Sequence, residues 1–308
     1  MKTRFLALAL AAVSLTGCLE QNQKFILNPD GSGKLVVETT LDTSMTAALG
    51  GGAAGADMGK QIAMQLLRGT EGVEVWADLT HTTDGPKTTI KGTAYFPDIN
   101  KVKMSGGENA RGVSAGTLVS TKEGDAWTIA TSLGEAPQPP AATPKPSAAD
   151  ISTSIQQAKT QWEAGKALIA PMLESAKVTT TVQVGGTIKE TVGFAKEGDD
   201  TGTLSFTGKN IVSLLDEVMS DTKALEDLIS SSGGASALSD PRHMQKLLME
   251  SLTGGKGLPL VKATPGKPVF DYKAEAAKAK AGQSAELKAL QAEAAKPQGA
   301  VIRPPKAQ

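Results

Sequence analysis

Residues 24–41 read KFILNPDGSGKLVVETTL, and the turn inside this stretch decides the fold class. Asn28-Pro29-Asp30-Gly31 suits a type I turn, because Pro29 is pre-set for its second position. Gly31 can then take the left-handed conformation of a G1 bulge. Such a loop pairs Asn28 with Ser32, and therefore Phe25 with Leu35. Phe25, Leu27, Leu35 and Val37 fall on one face, so the turn and the apolar alternation give the same register. The DGSG run also suggests a calcium loop. With Gly31 as the loop glycine, however, the first and twelfth ligand positions fall on Ile26 and Val37, which carry no ligand oxygen in their side chains. No metal and no cofactor is expected.

Downstream, apolar residues recur in two distinct periods. Met58, Ile62 and Leu66 mark a helix from Asp57, with Gly69 past its end. Strand-like alternation follows at Val73, Val75, Ala77 and Leu79. It resumes at Ile90, Gly92, Ala94 and Phe96 after a turn near Asp84-Gly85-Pro86. A further hairpin is predicted through Leu118 and Val119, a Glu123-Gly124-Asp125 turn, then Trp127, Ile129 and Leu133. After a Pro-rich connector, Ile151, Ile155, Ala158, Trp162, Gly165, Ile169 and Met172 form an a/d stripe on a long helix from Asp150. Ala158 and Gly165 weaken that seam as a coiled coil, so it is expected to pack on the protein's own sheet.

Strands are expected again at 177–184 and 187–194, joined by Gly185-Gly186, and at 202–206. Helices follow around Leu214 and Leu225. A third is opened by Asp240-Pro241, with Met244, Leu247, Leu248 and Leu252 inside. A short strand is expected at Val269-Phe270. Residues 273–296 are rich in Ala, Lys, Glu and Gln, with Leu287 and Leu290 as their only large apolar side chains, and read as an exposed or loosely docked helix. A tail without a core-forming pattern ends the chain.

Hairpins followed by clustered helices define an α+β fold built on an antiparallel sheet, with several amphipathic helices and an exposed C-terminal Ala/Lys-rich helix. The organisation read from the sequence is a leader at 1–17, a β-rich part at 18–135, a connector at 136–149, a helix-rich part at 150–272 and a tail at 273–308. The parts at 18–135 and 150–272 could share one sheet or form two lobes. The order of elements over residues 19–135 distantly resembles that of the LppM-like lipoproteins, small α+β envelope proteins.

The chain holds one cysteine in 308 residues, Cys18. Before it stand Lys2 and Arg4 and then an uncharged run from Phe5 to Leu15, too short to span a bilayer. Leu15-Thr16-Gly17-Cys18 resembles the lipobox of bacterial lipoproteins. That resemblance implies recognition of Leu15, Thr16 and Gly17 by a signal peptidase, cleavage before Cys18 and acylation of its sulfur. Leu19 in place of an aspartate after the cysteine implies, by the family's sorting rule, the outer membrane. The membrane is thus the expected partner, with envelope proteins or lipid as further ones. The first strand is expected from Lys24, which leaves a short tether after Cys18 and the Phe25 end of the hairpin nearest the membrane.

Chemistry is harder to find. Removing Lys2 and Arg4 from 32 basic and 32 acidic residues leaves a slight acidic excess, and aromatics are only 4%. Neither favours nucleic acid. His81 and His243 lie in no metal-binding spacing, and no G-x-S-x-G elbow is present. Asp199-Asp200 and Glu123/Asp125 fall in turns, where solvated carboxylates are the default. Gly254-Gly255-Lys256 lacks the rest of a phosphate loop and reads as a helix C-cap. The sequence therefore favours a non-catalytic binding or structural role. A carrier of a small apolar ligand, enclosed by Met244, Leu247, Leu248 and Met249, is the alternative, and an enzyme comes third.

Overall fold

The computed structural model describes residues 19–42, 44, 57–104, 117–132, 147–231, 246 and 249–296. Their architecture is α+β, with strands mostly in antiparallel pairs.

The 24–41 stretch folds as its turn dictates. β1 (Leu19–Leu27) and β2 (Gly33–Asp42) pair with Phe25 opposite Leu35. The Gly31 amide donates to the Asn28 carbonyl, and the Asn28 amide donates to the Ser32 carbonyl. Gly31 has φ of 91°, in the region that L side chains resist. A Cβ there would meet only Asp98 Oδ1, at an ordinary 3.7 Å. Gly31→Val should therefore destabilise through its backbone alone, by about 1–2 kcal/mol. Urea unfolding checks this, and parent-like stability would refute the bulge.

β1 starts five residues earlier than the sequence reading places it. Leu19 already pairs with Leu41, and Glu20 pairs with both Thr40 and Lys177. No free tether is left between Cys18 and the sheet. The early part of the strand escapes the apolar pattern because Gln21 and Gln23 occupy the inward row ahead of Phe25.

β1 also pairs in parallel with β10 (Lys177–Val184), which brings strands from both sides of the connector into one sheet. On the far side of β10 lie β13 (Thr201–Thr207) and then β12 (Ala195–Glu197). On the other side, β2 pairs with β6 (Lys87–Phe96), whose free edge takes β4 (Val75–Trp76) and β5 (Thr80–Asp84). The continuous strand read from Val73 to Leu79 is thus only two residues long. β5 and β6 close tightly over Gly85-Pro86.

A second sheet has the order β11 (Gly186–Val192), β14 (Leu260–Pro265), β9 (Ala126–Ser132) and β8 (Thr117–Glu123). The Gly185-Gly186 pair is therefore not a hairpin turn. It is the corner at which the chain leaves the main sheet after β10 and enters the second as β11. The late strand lies at Leu260–Pro265, not at Val269-Phe270. β3 (Thr70–Glu71) and β7 (Lys103–Met104) form a separate short ribbon.

Helices complete the layers. α1 (Asp57–Gly69) packs on β5 and β6. α2 (Ala148–Glu174) starts two residues before Asp150, because Ser147 and Asp150 form a reciprocal capping box. Its stripe buries Ile155, Ala158 and Trp162, and its main partners are α3 (Gly208–Ser220) and α4 (Thr222–Ser231) rather than the sheet. The Pro241 helix start, Met244, Leu247, Leu248 and Leu133 lie outside the described residues. The 273–296 segment forms two helices, α5 (Tyr272–Gly282) and α6 (Ala285–Ala294), with Ser284 capping the second. Most of their surface is exposed, but Ala276, Leu287 and Leu290 are buried, so both are docked. One apolar core joins Phe25, Leu35 and Phe206 of the main sheet, Trp127 and Ile129 of the second, and Leu214 and Leu225 of the helices.

Candidate functional site

The main sheet has two unlike ends. One is the tip, where the β1–β2 turn meets the second sheet. Buried Asn28 organises it. Its Nδ2 donates to Ser32 Oγ and the Phe270 carbonyl at 3.2 Å each, and its Oδ1 accepts from the Val269 amide at 2.9 Å. One turn side chain thereby ties the hairpin to the segment leading into α5. Nearby, Lys34 Nζ meets Glu275 Oε2 at 2.7 Å and stands 4.4 Å from the Phe270 ring centroid. Tyr95 donates to the same carboxylate oxygen at 3.0 Å. Burial and this carboxylate push the Tyr95 phenol up to about 12. Burial also raises the Glu275 pKa, but the hydrogen bonds from Lys34 and Tyr95 outweigh it and hold the carboxyl below its usual range. Neither group is poised to exchange a proton near neutral pH, so the cluster serves as a clamp for α5.

The other end is the base, which holds Leu19, the residue after Cys18 in the sequence. Leu19 pairs with Leu41, Glu20 with Lys177, Lys177 with Thr207, and Asp42 with Lys87. The Asp84-Gly85-Pro86-Lys87 turn and Lys209 of α3 continue this rim, and all five of these residues are exposed. Leu19 and Leu41 are half-buried. Hydrogen bonds from Ser44 hold the Asp42 carboxyl below its usual range. Among the residues whose side chains are described, Lys87, Lys177 and Lys209 stand with Glu20, Asp42 and Asp84, a set of both signs. No sequence motif marks this rim, because the register of six strands assembles it from distant positions.

Cys18 and the preceding Leu15, Thr16 and Gly17 lie outside the described residues, as does His243. His81 sits on β5, packed near Gly59 of α1. Asp200 accepts hydrogen bonds from Gln183 Nε2 at 2.9 Å and Thr201 Oγ1 at 2.8 Å, which hold its carboxyl below the usual range. It is a structural acceptor, and Asp199 pairs loosely with Lys196 at 3.7 Å. Glu123 and Asp125 flank the exposed β8–β9 turn. Gly254 and Gly255 have φ of 60° and 78°, and the Gly255 amide donates to the Glu250 carbonyl at 2.8 Å, as a helix C-cap requires. Met249 is buried and Leu252 half-buried in the core. Among the described residues, no group of three His, Cys, Asp or Glu could hold a metal.

Two shallow depressions stand out among the described residues. One, of about 470 Å³, runs along the polar face of α2 past Ser152, Gln156 and Thr160. The other, of about 410 Å³, lies between Arg68, Trp76 and Gln291. The unusual polar feature lies inside the core. Gln23 and Thr180 are cross-strand neighbours at the parallel β1–β10 junction, 2% and 1% exposed. Gln23 Oε1 and Thr180 Oγ1 have no hydrogen-bond partner there. Thr180→Val keeps the branched shape and removes an unpaired hydroxyl, so it should raise stability by about 1 kcal/mol. Thermal and urea unfolding measure this. A loss instead would mean that the hydroxyl holds a water or ligand.

No protein-family model matches the chain, and no curated protein does. Among solved structures, the chain shows a distant likeness to the folded domain of the Mycobacterium tuberculosis LppM protein, determined by NMR. Identity is 9% and the TM-score 0.29, over 62% of this chain and 84% of that one. No helix among the described residues is long and apolar enough to cross a membrane.

Proposed function

We propose that this chain is a bacterial envelope lipoprotein, held at a membrane by acylated Cys18 and acting there as a binding or structural protein rather than an enzyme. The order of a basic start, a short apolar run, Leu15-Thr16-Gly17 and Cys18 supports the anchor. The carrying observation is that Leu19, the residue after the cysteine, is already paired into the sheet opposite Leu41. Cleavage at the lipobox would leave every described strand intact and start the mature chain one residue before Leu19. Two or more acyl chains on one residue would hold stably, where one would exchange. Leu19 after the cysteine favours the outer membrane in a cell that has one. Intact-mass measurement of membrane-extracted protein tests the reading. Loss of residues 1–17 with added diacylglyceryl and acyl mass is expected, and an unmodified Cys18 thiol would refute it.

A second reading, a carrier of an apolar ligand with one polar group, draws on the unpaired Gln23–Thr180 acceptors within the core. Native mass spectrometry decides between them, since a carrier would co-purify with a bound small molecule.

A further inference from the structure

We infer that the base of the main sheet is a membrane-apposed surface, so that the acylated protein stands on the lipid headgroups with its Asn28–Ser32 tip outward. The inference rests on the lipid-anchor reading and adds an orientation to it. A lipoprotein with a flexible linker can tumble above its bilayer. Here Leu19 is fixed opposite Leu41, and Glu20 is fixed between Thr40 and Lys177. One peptide unit, about 3.8 Å between Cα atoms, separates Leu19 from Cys18. The acylated sulfur must reach the bilayer, so the rim of Leu19, Leu41, Lys87 and Lys177 is held at the headgroups.

The strand direction sets the rest. Nine residues of β1 at about 3.3 Å each carry the chain roughly 30 Å from base to tip. Lys177 opens β10 at the base, whereas the Lys267 backbone packs on Gly185 at the tip. The rim chemistry suits a headgroup layer. Exposed Lys87 and Lys177 can meet phosphates, while exposed Glu20 and Asp84 can meet cationic headgroup nitrogens. Because both signs are present side by side, the surface fits zwitterionic lipid.

The test attaches the lipid chemically, so that it does not depend on cellular acylation. The chain from Cys18 onward is coupled through that thiol to a maleimide-bearing phospholipid in phosphatidylcholine vesicles. A clickable dye is introduced by Lys177→propargyl-lysine in one sample and Lys267→propargyl-lysine in another. Both are exposed lysines, so the changes in charge match. Nitroxide on the lipid headgroups should quench the dye at 177 and leave the dye at 267 as bright as in nitroxide-free vesicles. Equal quenching at both sites, or quenching at 267 alone, overturns the orientation. Failure of the anchor reading would show separately, as an unmodified Cys18 in protein made by the cell.

Discussion

Gly186→Ala should cost about 3 kcal/mol or more, the upper range for forcing a group into filled space. The reason is local and geometric. A Cβ at Gly186 would stand 2.2 Å from the Thr264 carbonyl oxygen and 3.1 Å from the Gly266 amide nitrogen. Both obstacles are backbone, so no rotamer change relieves them. They cannot retreat easily either, because Thr264 and Pro265 pair with Thr187 and Gly186 in the second sheet. The preceding residue is confined as well. A Cβ at Gly185 would meet the Lys267 carbonyl oxygen at 2.6 Å and the Pro29 ring at 2.8 Å. Gly185 also donates to the Leu27 carbonyl and accepts from the Gly266 amide. Strain at this corner therefore acts on both sheets at once. Gly282→Ala is the control, since it opens onto empty space and alanine suits a helix end better than glycine. Urea unfolding of the pair measures the difference. If Gly186→Ala loses no more than Gly282→Ala, the corner is looser than drawn.

The same corner shows what the sequence could and could not disclose. Asn28 to Ser32 was legible because turn chemistry and side-chain alternation independently demand one register. The α2 helix was legible for a similar reason, since its apolar residues recur at helical spacing and Ile155, Ala158 and Trp162 are buried. Gly185-Gly186 was not, because two glycines permit a hairpin and an inter-sheet corner equally. Only the distant partners β1 and β14 decide between them. β14 itself was missed because Val261 and Ala263 are its only fully buried apolar positions, between a glycine-rich cap and a proline. Leu287 and Leu290 alone suggested no more than a loosely docked face. They bury nonetheless, in a segment that the Arg68 side chain also grips through the Ala294 carbonyl at 2.8 Å. Asn28 illustrates the same limit for polar groups. Its turn role could be read locally, but its hold on Phe270 spans 242 residues of sequence. The base rim is the extreme case. Leu19, Leu41, Lys87 and Lys177 share no motif and meet only through strand pairing.

Cys18→Ala should abolish membrane retention altogether, the largest functional effect expected of any single substitution here. The sulfur is the only thiol in the chain, so no second residue can take over thioether formation. Lipoprotein-type processing acts on the modified cysteine, and without it the variant should persist as an uncleaved precursor or be released as soluble exported protein. The body should remain folded in either form. Its described core involves no cysteine, and its largest fully buried side chains, such as Trp127, Phe25 and Phe96, lie within the sheets. The two consequences separate cleanly in one experiment. Metabolic labelling with an alkyne fatty acid, followed by fractionation, should place label and protein together in the membrane for the parent. The variant should carry no label, and any processed form should appear in the soluble fraction with a parent-like melting temperature. Cys18→Ser should behave as alanine does, since an oxygen nucleophile does not replace the thiol in the thioether. If the parent takes up no label and high salt strips it from the membrane, the anchor is electrostatic and Cys18 is incidental. In that event the charges responsible lie away from the base, whose described side chains carry both signs.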